Sequence, residues 1–194
     1  SAGLPLQLTA PGRFLRHVAD LLCDPLDGER LLVILRHPLC NSDGSDRGVH
    51  NLHTNALELE LRRNGPPFPS RASLLAWANE TADRHPDRIL WANWVSDCLM
   101  GLNTPDARDL PDFIETHWQI SERLCAGPDR EGSGELWKEP AGREALRALS
   151  ELRAHADAGG EMTPRDYRQL SGSVLANGEV RDRDKGHPQV LIWG

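Results

Sequence analysis

Residues 86 to 102 read PDRILWANWVSDCLMGL. Ile89, Leu90, Trp91, Trp94, Val95, Cys98, Leu99 and Leu102 recur at helical spacing and cover most of the helix circumference. A helix tolerates apolar side chains on nearly every side only when neighbours surround it. The segment therefore predicts a central helix, opened by Pro86, in a mainly α fold.

Working outward, the same periodicity returns with its punctuation. Upstream, TAPGRFLRHVADLLCD sets Phe14, Val18, Leu21 and Leu22 in register, with Thr9 as N-cap and Pro11 in the first turn. Asp27 caps a short helix from Gly28 to Leu35 whose five consecutive apolar residues predict burial, and Pro38 stops it. After the turn-rich NSDGSDRG, Val49 to Arg63 carries Leu52, Ala56, Leu57, Leu59 and Leu61 before Gly65-Pro66-Pro67. Ser70 or Ser73 caps a helix through Leu74, Leu75, Trp77 and Ala78. Downstream, Pro111 opens a helix bearing Phe113, Ile114, Trp118 and Leu124, ended by Gly127-Pro128. The Gly132 to Gly134 region reads as an exposed loop. Ala141 to Ala156 and a helix capped by Thr163-Pro164, with Tyr167, Leu170 and Val174, complete the series.

The end changes character. Residues 177 to 188 (NGEVRDRDKGHP) are polar and turn-like, and they lead into Gln189-Val190-Leu191-Ile192-Trp193-Gly194, a short strand-like run. A lone strand leaves backbone groups without partners. The rest of the chain offers no convincing second strand, so this run is expected to belong to a sheet outside the sequence.

Composition narrows the function. The chain has 194 residues, 39% hydrophobic and 26% charged, with a formal charge of −7. That is globular composition, with no apolar stretch long enough to span a bilayer and no signal-peptide pattern, so a soluble, cytoplasmic chain is expected. The negative charge argues against a general nucleic-acid sponge, but is compatible with a local DNA groove. Cys23, Cys40, Cys98 and Cys125 stand far apart without a CxxC pair, the pattern of reduced thiols rather than a metal site.

No phosphate-binding glycine loop, nucleophile elbow or HExxH motif occurs, and no catalytic, cofactor-binding or metal residue is assigned. His50 and His53, three apart on a helix, are the nearest approach to a metal pair but lack third and fourth ligands. Glu58 and Glu60 point to different helix faces and read as solvated charge. Trp77, Trp91, Trp94 and Trp118 fall on apolar stripes, where burial competes with base stacking. Arg36 and His37 follow a helix directly. Two readings stand for them: complements to the helix dipole, or a DNA or interdomain contact. Arg181, Arg183 and Lys185 alternate with Asp182 and Asp184, and the same DNA contact is open to them beside that of a solvated loop.

Three stretches carry a resemblance: TAPGRFLRHVADLLCDPLDGERLL (Thr9 to Leu32), LLVILRHPLCNSD (Leu31 to Asp43) and NALELELRRNGP (Asn55 to Pro66). In this order they resemble the AddB subunit of bacterial AddAB helicase–nucleases, especially the alphaproteobacterial type. HPQVLIWG (His187 to Gly194) looks like a strand re-entering the second RecA-like domain of that family. Residues 67 to 176 add only general helical character. The resemblance implies a bundle-like helical accessory subdomain over residues 1 to 186, with residues 187 to 194 returning to a RecA-like sheet. It implies a parent subunit of an ATP-dependent complex that resects double-strand ends for recombinational repair. The parent would use ATP, magnesium and an iron–sulfur cluster, with DNA and an AddA-like helicase–nuclease subunit as partners. None of its catalytic residues maps onto this chain. A stand-alone helical adaptor that docks another protein is the alternative.

Overall fold

The computed structural model describes residues 3 to 44 and 46 to 180. Its helices begin where the sequence places capping groups. Thr9 accepts from the Gly12 N–H at 3.2 Å and opens α1 (Ala10–Cys23), while Asp27 accepts from Arg30 N–H at 2.8 Å and opens α2 (Gly28–Arg36). After α3 (Arg47–Arg63), reciprocal Ser70–Ser73 bonds start α4 (Arg71–Glu80). Then come α5 (Asp87–Leu99), α6 (Leu110–Ala126) and α7 (Glu139–Ala154). A Thr163–Asp166 capping box with Pro164 at the first position starts α8 (Pro164–Asn177). The fold is mainly α, and among the described residues no helix is long and apolar enough to cross a membrane.

The hub is α1, which packs against α2, α6, α7 and α8. α5 is buried on most sides, as its composition predicts, but it packs against α3, α4 and α6 rather than at the centre of the fold. At the start of α1 a Cβ at Gly12 would run into the Leu6 carbonyl, so the glycine lets the preceding turn pack closely on the helix. Two clusters form the interior. The larger joins Phe14, Leu22, Leu31, Trp91, Phe113 and Tyr167; the smaller joins Leu6, Leu15, Ala145, Leu149 and Leu175. Trp137 packs against both.

Three expectations need correcting. First, the chain does contain strands: β1 (Leu4–Pro5), β2 (Arg108–Asp109), β3 (Glu161–Met162) and β4 (Glu179–Val180). They pair antiparallel, β1 with β4 (Leu4 opposite Val180) and β2 with β3 (Arg108 opposite Met162). At two residues each they are too short to leave an alternation in the sequence. Second, the loop around Gly132 to Gly134 is exposed at Gly132, as expected, but turns inward from Gly134. Gly134 and Leu136 are buried, the Glu135 N–H reaches the Ser42 hydroxyl at 2.9 Å, and the Trp137 indole donates to Glu122 at 2.7 Å. Third, α3 buries its polar side. His50, His53, Thr54 and Leu57 face inward while Val49, Leu52 and Leu59 are exposed. The expected strand at 187 to 194, and with it the boundary at residue 186, lie outside the described residues.

Candidate functional site

The corner after α2 brings the sequence-derived candidates together in part. Arg36, the last residue of α2, turns outward and pairs with Glu58 of α3, which also takes Arg62 at 2.7 Å. Glu58 is therefore the hub of a cross-helix ion cluster rather than solvated charge, and its carboxyl is held below the usual range, chiefly by the Arg36 bond. His37 goes the other way. It is buried against the Phe14 ring at 5.0 Å between centroids, and its Nδ1 accepts from the Leu39 N–H at 3.2 Å, tightening the turn. Burial, helped by the positive fields of His17, Arg13 and Arg47, pushes its pKa down to about 4. Thus Arg36 is on the surface but engaged, and His37 is structural. Arg181, Arg183 and Lys185 lie outside the described residues.

The two α3 histidines are not poised for a metal. His50 Nε2–H donates to the Leu35 carbonyl at 2.7 Å, and its Nδ1 accepts from the Trp91 indole at 3.0 Å. A carbonyl only accepts and an indole only donates, so the partners fix the neutral tautomer. His53 repeats the device: Nε2–H to Asp87 at 3.1 Å, Nδ1 from Arg88 Nε–H at 3.4 Å. Both ring nitrogens of each are occupied by protein. Among the described residues no group of three or more His, Cys, Asp or Glu could hold a metal ion.

His117 on α6 is a third case, and sequence reading missed it. It is fully buried, donates from Nε2 to the Leu15 carbonyl at 2.9 Å and accepts at Nδ1 from the Tyr167 hydroxyl at 2.7 Å, joining α1, α6 and α8. Burial lowers its pKa to about 4. Its position three and four residues beyond Ile114 and Phe113, on their stripe, was the available signal.

All four cysteines are reduced, and Cys40, Cys98 and Cys125 are buried. Burial raises each of their thiols, Cys98 to about 12. Trp77, Trp91 and Trp94 are likewise buried, and the Trp94 indole donates to the Arg123 carbonyl at 3.1 Å, leaving none of the three open to a stacking base.

Compared with protein families, with curated proteins and with solved structures, the chain finds no match.

What the sequence reading passed over is the outer face of α1. Arg13, Arg16 and His17 stand there, and His17 meets His37 at 6.3 Å between ring centroids. From α3, Arg47 donates to the Cys40 carbonyl at 2.6 Å and the His37 carbonyl at 3.3 Å, extending the same corner. The i, i+3, i+4 spacing of Arg13, Arg16 and His17, opposite the apolar stripe, was legible; the approach of Arg47 was not.

Proposed function

We propose that the chain is a non-catalytic helical module of an AddB-like subunit, part of an ATP-dependent helicase–nuclease that processes DNA double-strand ends for recombinational repair. Its work there is to guide DNA or to pack against the AddA-like partner. The observation that carries this reading is the placement of the resembling stretches. Thr9 to Leu32, Leu31 to Asp43 and Asn55 to Pro66 fall on α1, α2 and α3, which pack in sequence and share one surface corner. The histidines at that corner and beneath it serve the scaffold, which suits a module whose function lies in its surface.

The test is to recover the native polypeptide from cell extract with an antibody to this domain and to identify its companions by mass spectrometry. A much longer chain accompanied by a large helicase-like partner is the expected result. A polypeptide of 21.6 kDa with no such partner would overturn the reading.

One observation favours the adaptor alternative. Val49, Leu52 and Leu59 lie along the outer side of α3 with relative exposures of 41%, 68% and 53%. Recovery of the short polypeptide with a stoichiometric non-helicase partner, lost on Leu52→Glu, would bring that reading forward.

A further inference from the structure

Arg13 and Arg16 are exposed on α1, and within the described residues the side chain of neither makes an ion pair or a hydrogen bond. Among the described residues eight other arginines, Arg36 and Arg168 among them, meet a carboxylate, while Arg63, Arg84, Arg143 and Arg165 are as exposed and unpaired as Arg13 and Arg16, so it is the neighbours of Arg13 and Arg16 that set those two apart. They have cationic company. Arg47 lies beyond them at the His37 corner, and the fields of Arg13 and Arg16 reach His17, while those of Arg13 and Arg47 reach His37. Asp20, one turn along α1, is the carboxylate felt by His17.

Like charges kept together repel unless something of opposite sign joins them. In a chain with a formal charge of −7, Asp20 stands against these cations. On its other flank Arg16 borders a groove of about 540 Å³ between α1 and α8, where Gln7, Gln169 and Ser173 offer neutral hydrogen-bonding groups beside Asp20 and Arg168, which face each other at 3.9 Å. Guanidinium pairs with phosphate in a bidentate fork, and amide and hydroxyl groups are the usual further contacts to a sugar–phosphate chain. Arg13 and Arg16 lie almost one helical turn apart, about 4.5 Å along the axis. That spread suits successive phosphates of a strand better than a single small anion.

We propose that the outer face of α1, through Arg13 and Arg16 with Arg47 at its rim, holds the phosphodiester backbone of nucleic acid. The proposal gives the DNA-guiding role a surface, and rests on that role for the choice of polyanion. The contact is to the backbone and carries no base preference. Arg36, held by Glu58, is not part of it.

The experiment is fluorescence anisotropy of the 194-residue chain with a labelled DNA duplex and with the corresponding single strand, over a range of salt. The chain is compared with the double variant Arg13→Glu/Arg16→Glu and with a control of equal charge change, Arg63→Glu/Arg143→Glu, at exposed positions on α3 and α7. The expected result is salt-dependent binding, weakened about tenfold or more by the α1 variant, whose log–log salt slope falls by about two. The control should bind as the parent does. Circular dichroism checks folding, and Arg13→Gln/Arg16→Gln replaces the reversal should that variant unfold. No binding at low salt, or equal losses in the α1 variant and the control, would overturn the proposal. That failure is distinct from failure of the AddB reading, which is decided by the size and companions of the native polypeptide.

Discussion

His117 and His37 have nearly the same depressed pKa, yet they sit in opposite kinds of surroundings. Around His117 every polar atom is answered: the Leu15 carbonyl takes one ring nitrogen's proton, Tyr167 supplies the other nitrogen, and no net charge is needed. Around His37 the Leu39 N–H satisfies one nitrogen, but Arg13, Arg47 and His17 crowd the corner with positive field. The first region is closed electrostatically; the second gathers Arg13, Arg16 and Arg47, with Asp20 as the carboxylate acting on His17. The difference teaches that burial alone does not mark a working surface.

The largest test of this contrast is acid. Both histidines titrate at about 4 when folded, against 6.5 as the ordinary value. Between those pH values the unfolded chain binds protons that the folded chain does not, so stability is complete above pH 6.5 and falls as pH is lowered. Each histidine removes about 1.4 kcal/mol per pH unit within that window. His17, His50 and His53 are lowered too and act with the same sign. Urea unfolding at pH 7 and pH 5 measures the loss; equal midpoints would show that these rings protonate in place.

Next in size is the removal of a single donor. Tyr167→Phe leaves His117 Nδ1 buried without a partner, and Trp91→Phe does the same to His50 Nδ1, so each is expected to cost about 1–3 kcal/mol. Chemical denaturation of the two variants gives the values. A neutral Tyr167→Phe would mean that the closed region tolerates an open acceptor, and the contrast with the α1 corner would blur.

The smallest effect belongs to Arg36. Its pair with Glu58 lies at the surface, and Arg62 remains to hold that carboxylate, so Arg36→Ala should change stability by less than about 1 kcal/mol. A thermal melt suffices. In the DNA titration the same variant should bind like the parent; a loss matching that of the α1 variant would move the contact surface from α1 to the α2–α3 corner.

Much of the architecture could be read in advance because it is local. Thr9, Asp27, Ser70 and Thr163 cap the helices that their positions announce, and Phe14, Val18 and Leu22 fall on the buried stripe of α1. What could not be read depends on partners far along the chain. The inward face of α3 is polar, and its burial makes sense only once Trp91, Asp87 and Arg88 supply hydrogen bonds from α5. Leu52 and Leu59, which periodicity counted toward the core, lose their place to those histidines. The buried Gly134 to Leu136 turn is held by Ser42, more than ninety positions away. Of the candidate site, Arg36 and His37 were legible as a corner, but not their division into a surface ion pair and a buried ring. The α1 cations were missed because apolar periodicity draws the eye to the opposite face.

The β1–β4 seam joins the two most distant parts of the described chain through two facing pairs, the Leu6 N–H to Gly178 carbonyl bond at 2.8 Å and the Gly3 N–H to Glu179 carboxylate bond at 2.5 Å. Closing so long a loop for so few bonds leaves the seam little to gain until α1, α7 and α8 are already in place. It should be the last zip to fasten and the first to slip. Its amides would then exchange with solvent while those of the helices stay protected, although Leu6 ties the seam to the smaller core cluster.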